Sequence, residues 1–177
     1  MSTRSPTAVV ATLLAILTAA GGVRADSPRL GQPLDPATVP AYARHVLPDG
    51  TGLPAGAGTA AAGREVYEDN CAVCHGETGR EGPIMPLVGP VDDGSRPAGK
   101  HWRYATTLFD YIRRAMPFPS PKSLSDDEVY AVTAYLLFRN GVIGEAETMG
   151  PATLPKVAMP DAVLYRDWWL EAGDRPY

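Results

Sequence analysis

Cysteine is almost absent from this chain: its 177 residues hold two, Cys71 and Cys74. An exported domain stabilised by disulfides carries several cysteines spread along its length. A single close pair therefore reads as chemistry rather than stapling. Long apolar runs are missing after the N-terminal stretch, so no later segment has the ~20 apolar residues that a membrane-spanning helix needs. Alternating apolar and polar runs and internal repeats are missing too, which argues against sheet-based and solenoid architectures. Positive charge is in deficit, with 16 Lys and Arg against 20 Asp and Glu and a net charge of −4. A chain of that sign is a poor match for nucleic acid.

What is present begins with an export pattern. Arg4 supplies a positive start, Ala8 to Ala20 is an apolar run, and Val23-Arg24-Ala25 places small residues at the −3 and −1 positions of a cleavage site. Residues 1–25 are expected to be a secretory signal peptide cut after Ala25. A retained anchor is the competing reading, disfavoured because the run is short and Gly21-Gly22 interrupts it. Loss of Arg4 and Arg24 leaves the mature chain still more acidic. It is expected to be periplasmic, with no membrane span.

Gly and Pro each occur 18 times, so much irregular backbone should surround a modest number of helices. Residues 26–58 read as an N-terminal extension lying over the surface, with a short helix at Val39 to His45. A first helix starts after Thr59 as N-cap and runs to about Cys74. Glu77 to Gly99 reads as loop, being broken by several glycines. A second helix fits Thr106 to Ala115 and is ended by Met116-Pro117-Phe118-Pro119. Ser125-Asp126-Asp127-Glu128 is a capping box that opens a third helix, Val129 to Asn140, with Gly141 as its stop. The apolar run Val129 to Phe138 predicts burial on more than one side. Residues 59–141 are then the core domain, and 142–177 form a C-terminal extension containing Trp168-Trp169. The fold class is all-α.

Cys71-Ala72-Val73-Cys74-His75 is C-x-x-C-H, the pattern of covalent c-type haem attachment. Two thiols on one helical turn reach two vinyl groups on the same edge of a porphyrin, and the following imidazole turns towards the iron. A zinc site would want four ligands, and there is no second Cys pair. A thioredoxin-like pair would start a helix after a strand, whereas these cysteines end a helix. One covalently bound haem c is expected, with His75 on the iron.

Met116 is the leading candidate for the second axial ligand, because it lies in a proline-stiffened loop far enough beyond His75 to reach the opposite face. Met85 is too close to pass round the ring, and Met149 and Met159 lie beyond the third helix. His101 could ligate in principle, and His45 less readily, but both read rather as surface or satisfied polar residues. His/Met iron leaves no position for substrate, so the chain exchanges electrons and is not catalytic by itself.

Gly63-x-x-x-Tyr67-x-x-x-Cys71-x-x-Cys74-His75-Gly76, the later Met-Pro loop and a last helix with Ala134-Tyr135-Leu136 resemble the class I cytochrome c fold. That resemblance implies packing of Gly63 and Tyr67 against Tyr135. The run Trp102 to Phe118, with Gly52 to Gly56 and Leu124 to Leu137, is similar to the cytochrome subunits of bacterial sulfite and sulfur dehydrogenases. It implies Cys71, Cys74, His75 and Met116 as haem residues. It also implies electrons received from a molybdenum-cofactor dehydrogenase subunit and passed to a downstream cytochrome or oxidase. The chain departs from many relatives at Trp102-Arg103 and in the loop Arg80 to Gly89, where the carbonyl that should orient His75 has no obvious position.

Arg96, Lys100, Arg103, Arg113, Arg114 and Lys122 face only Asp110 within residues 96–122. Some of these cations, with Trp102 as indole donor, suit haem propionates; Arg113 and Arg114 are first choices for docking an acidic partner. Two other functions compete with the dehydrogenase subunit. One is a free soluble carrier for another dehydrogenase or oxidase; the other is a haem enzyme or gas sensor with open iron.

Overall fold

The computed structural model describes residues 31–42, 45–90 and 96–165. The expected signal peptide and the Trp168-Trp169 pair lie outside them. The chain divides into two compact units, Met1–Val39 and Pro40–Tyr177. The described part of the first unit holds a turn in which Asp35 accepts hydrogen bonds from the Ala37 and Thr38 amides. A single helical turn, α1 (Val39–Tyr42), follows and stops short of His45. The remaining elements all belong to the second unit.

Its helices are α2 (Ala60–Asn70), α3 (Ala72–His75), α4 (Ala98–His101), α5 (Ala105–Ala115) and α6 (Asp126–Arg139). Thr59 caps α2, accepting from the Ala62 amide at 3.3 Å. Ser125 and Glu128 form the reciprocal capping box of α6, worth about 1 kcal/mol at an N-cap. The left-handed Gly141, at φ 69°, follows the Asn140 C-cap as the sequence predicts.

Helix α6 is the centre of the core. Every residue from Val129 to Leu137 is buried. Helix α2 crosses α6 at Gly63, where an added Cβ would overlap the Ala131 carbonyl, so the two backbones touch. One turn on along each helix, the Tyr67 and Tyr135 rings meet with centroids 5.3 Å apart. The predicted packing of Gly63 and Tyr67 on Tyr135 is therefore present. Helix α5 packs through Leu108, Phe109 and Ile112, with the Phe109 ring 4.3 Å from that of Tyr130.

Three features differ from the sequence reading. The first helix breaks at Cys71, whose φ of −120° separates α2 from the one-turn α3. Helix α4 lies where loop was expected; at four residues it is too short to display helical periodicity. The third is a short strand pairing to which the C-terminal extension contributes. Strand β1 (Gly58–Thr59) pairs antiparallel with β2 (Thr148–Met149), and Met149, Leu154 and Met159 are buried in the core. Two-residue strands carry no alternation to read, and the fold remains helical. The segment before α2 is fastened as well: Val46 donates to the buried Asp110 carboxylate at 3.3 Å, and Tyr130 Oη donates to the Pro54 carbonyl at 2.9 Å.

Candidate haem-binding site

Residues 71–76 form one compact turn. The Cys71 amide donates to the Tyr67 carbonyl at 2.8 Å, ending α2. The amides of Cys74 and His75 then donate to the Cys71 carbonyl at 3.1 and 3.0 Å, winding α3. Gly76 ends it at φ 84°, and the Tyr67 hydroxyl donates to its carbonyl at 2.7 Å. The turn thus brings Cys71, Cys74 and His75 together. Both thiols are free and partly buried. Burial, followed by the neighbouring Cys74, pushes the Cys71 thiol up to about 11. A nucleophilic redox cysteine needs the opposite shift.

The loop after His75 is folded back onto this turn. The Ile84 amide donates to the Cys74 carbonyl at 3.3 Å, and a side chain at Gly82 would strike that same carbonyl. Glu81 accepts from the Thr78 hydroxyl at 2.6 Å and from the Thr78 and Arg80 amides. Those bonds, the Thr78 hydroxyl first, draw its carboxyl down to about 2. Further along, the amides of Leu87 and Val88 donate to the Gly79 carbonyl at 2.8 and 3.1 Å.

This fold-back supplies the carbonyl that the sequence left unplaced. His75 Nδ1 lies 3.0 Å from the Met85 carbonyl oxygen. A carbonyl only accepts, so Nδ1 carries a proton, and in the neutral tautomer this selects, Nε2 keeps its lone pair. The Met85 side chain is 56% exposed, and its backbone rather than its sulfur meets the imidazole. The readable signal was Pro86, which biases the preceding residue to extended backbone; the chain reversal that aims the carbonyl was not readable.

Met116 is the C-cap of α5, with extended φ and ψ of −119° and 153° and a cis bond to Pro117. Trp102 follows α4, with its ring edge-on to Tyr111 at 5.3 Å. Cys71, Trp102 and Met116 are partly buried against the same hydrophobic core. His101 Nδ1 lies 3.3 Å from Asp161 Oδ2, and His45 is exposed. A cleft of about 530 Å³ lined by Arg64, Glu68, Glu77, Thr78, Tyr135, Phe138 and Arg139 contains none of the expected haem residues.

The basic segment is partly neutralised. Arg113 Nε donates to Asp126 at 2.7 Å, and Arg114 binds Asp110 through two nitrogens at 3.0 and 2.5 Å. These two arginines, first choices for docking from sequence, are committed within the chain.

Two thiols, one imidazole with a fixed tautomer and a thioether form a donor set that fits haem c. Comparisons with known proteins agree with that chemistry. The family described as cytochrome c oxidase, cbb3-type, subunit III, matches residues 58–136. Thiosulfate dehydrogenase of Stutzerimonas stutzeri (strain A1501) is 33% identical over 88 residues, covering 47% of this chain and 28% of that protein. The chain therefore spans under a third of that relative's length. A chain of the sulfane dehydrogenase SoxCD from Paracoccus pantotrophus superposes with a TM-score of 0.68 at 34% identity, covering 85% of this chain and 80% of the other.

Proposed function

This chain belongs to the cytochrome c family, and from that premise we propose that it is a periplasmic, monohaem electron-transfer subunit of a sulfur-oxidising dehydrogenase. Cys71 and Cys74 would hold the haem as thioethers, each S–H adding across one vinyl group with no leaving group and no external oxidant. His75 would hold the iron through Nε2, and Met116 would hold it through its thioether sulfur. Bound haem c supplies a one-electron Fe(III)/Fe(II) couple at that site.

The observation that carries this reading is the hydrogen bond from His75 Nδ1 to the Met85 carbonyl, in the same turn as two free thiols. It selects the tautomer a metal ligand needs and holds the ring plane. The glycine contacts and backbone bonds of residues 76–89 keep that carbonyl in place, so the imidazole need not reorganise when charge changes. The indole N–H of Trp102 is assigned to a haem propionate.

The donor is a molybdenum-cofactor subunit that oxidises sulfite or another reduced sulfur species; the acceptor is a downstream cytochrome or oxidase. Relatives named as thiosulfate dehydrogenase and sulfane dehydrogenase support a sulfur compound as the electron source. The test is purification of the exported protein with its native partners. A covalent haem in one-to-one ratio, a near-infrared sulfur-to-iron band and reduction by a sulfur substrate only with a co-purifying molybdenum protein are expected. A high-spin five-coordinate spectrum would remove Met116, and reduction by an unrelated dehydrogenase alone would favour a free carrier.

A further inference from the structure

Asn140 sits at the C-cap of α6, far from His75 in sequence, yet its side chain is built into the loop that orients His75. Its Nδ2 donates to the carbonyls of Leu87 at 3.0 Å and Leu136 at 2.8 Å, while its Oδ1 accepts from the Gly89 amide at 3.2 Å. The reverse amide orientation would set oxygen against two carbonyls, so the network fixes which atom is which. Space for the amide is reserved by Gly99, where a Cβ would collide with Nδ2. The Gly99 amide also donates to Leu87 O, at 3.3 Å.

Leu87 is therefore held on both sides, its N–H by Gly79 and its C=O by Asn140 and Gly99. Only Pro86, with its ring-locked φ, separates that clamp from Met85, whose carbonyl receives His75 Nδ1–H. We propose that Asn140 is a positioning residue for the haem ligand: through Leu87 and Pro86 it sets the carbonyl that fixes the His75 tautomer and basicity. The inference rests on His75 being the iron ligand, as the proposed function has it.

The test uses reduced, haem-loaded protein with Asn140→Ala and Asn140→Asp. Asn140→Asp keeps the shape but turns a carboxylate oxygen towards two carbonyls, so it should perturb Leu87 at least as much. Exchange of the Leu87 and Val88 amides should quicken about tenfold, the loss of roughly one hydrogen bond, while α2 amides keep their wild-type rates. The His75 Nδ1 proton should exchange faster in both, and in the uncharged Asn140→Ala the midpoint potential should rise, because a less firmly bonded Nδ1–H makes the imidazole a weaker donor to iron. Gly99→Ala, whose Cβ would displace Nδ2 and also crowd the Leu87 carbonyl at 3.0 Å with Asn140 intact, should reproduce these changes and serves if the Asn140 variants do not fold. Wild-type values for the His75 proton and the potential in a variant with a loosened Leu87 would overturn the inference while leaving the proposed function standing. Absence of a haem-shifted His75 ring signal in the wild type would overturn both.

Discussion

Replacing Gly63 by Ala tests whether the contact of α2 with α6 governs stability. In an isolated helix the change is favourable, by about 1 kcal/mol. Here the new Cβ would overlap the backbone carbonyl of Ala131 and lie 2.8 Å from Tyr135 Cβ. Neither neighbour is a flexible side-chain end, so relief requires α2 to move off α6. Overpacking of this kind costs ~1–3 kcal/mol, and a backbone obstacle belongs at the upper end. Separation also weakens the Tyr67–Tyr135 ring pair, worth about 0.5–1 kcal/mol beyond its buried area. Subtracting the helix gain leaves a net loss of about 2–3 kcal/mol. Urea unfolding of the haem-loaded protein, followed by far-UV circular dichroism, measures it as a lower midpoint with unchanged slope. Ala61→Gly on the exposed face of the first turn of α2 is the control and should cost no more than about 1 kcal/mol from propensity alone. A midpoint for Gly63→Ala at or above wild type would refute the argument, since propensity would then have outweighed the contact.

Removal of the α6 cap by Ser125→Ala should cost about 1 kcal/mol in the same unfolding assay and leave the visible spectrum unchanged. The Glu81 carboxyl is lowered from 4.5 to about 2, so its contribution to the folded loop is complete above 4.5 and disappears as pH falls through about 2. The Thr78 amide shift should titrate near pH 2 in the wild type and lose that transition in Glu81→Gln; a midpoint near 4.5 would contradict the assigned bonds. Met116→Ala should abolish the near-infrared sulfur-to-iron band without detaching haem, and persistence of the band would assign the thioether elsewhere.

Helices were legible where local chemistry states their limits. Thr59, the Ser125 to Glu128 box and Gly141 mark termini through hydrogen bonds made within three or four residues, and each functions as expected. Burial of α6 on all sides followed from its unbroken apolar run. Elements whose reason is non-local were not legible. Helix α4 shows too few residues for a period, and β1 and β2 exist because Gly58 and Thr59 meet Met149 and Thr148 from the far end of the chain. The break at Cys71 likewise carries no breaker residue; nothing in Asn70-Cys71-Ala72 announces it.

The same division runs through the site. The two thiols and the imidazole are adjacent in sequence, so their spacing alone exposed them. The groups that hold the imidazole come from Met85 and, one step behind, from Asn140, and backbone carbonyls leave no trace in composition. The partners of the basic residues divide in the same way. Asp110 stands one helical turn before Arg114, an i,i+4 pair that sequence can reveal, but summing a window counted it only as one negative charge. The Arg113 partner, Asp126, is reached only because residues 116–125 turn the chain back from α5 to the start of α6. The net charge of a segment therefore overstates the field a partner meets. Among the described residues, Arg96, Lys100, Arg103 and Lys122 form no ion pair, with Arg103 lying 5.3 Å over the Tyr104 ring. Of these four, Arg96 and Lys122 are exposed and Lys100 and Arg103 half-buried. Exposed charges without an ion pair, here Arg96 and Lys122, act on association rate and are screened by salt, whereas committed pairs act on stability.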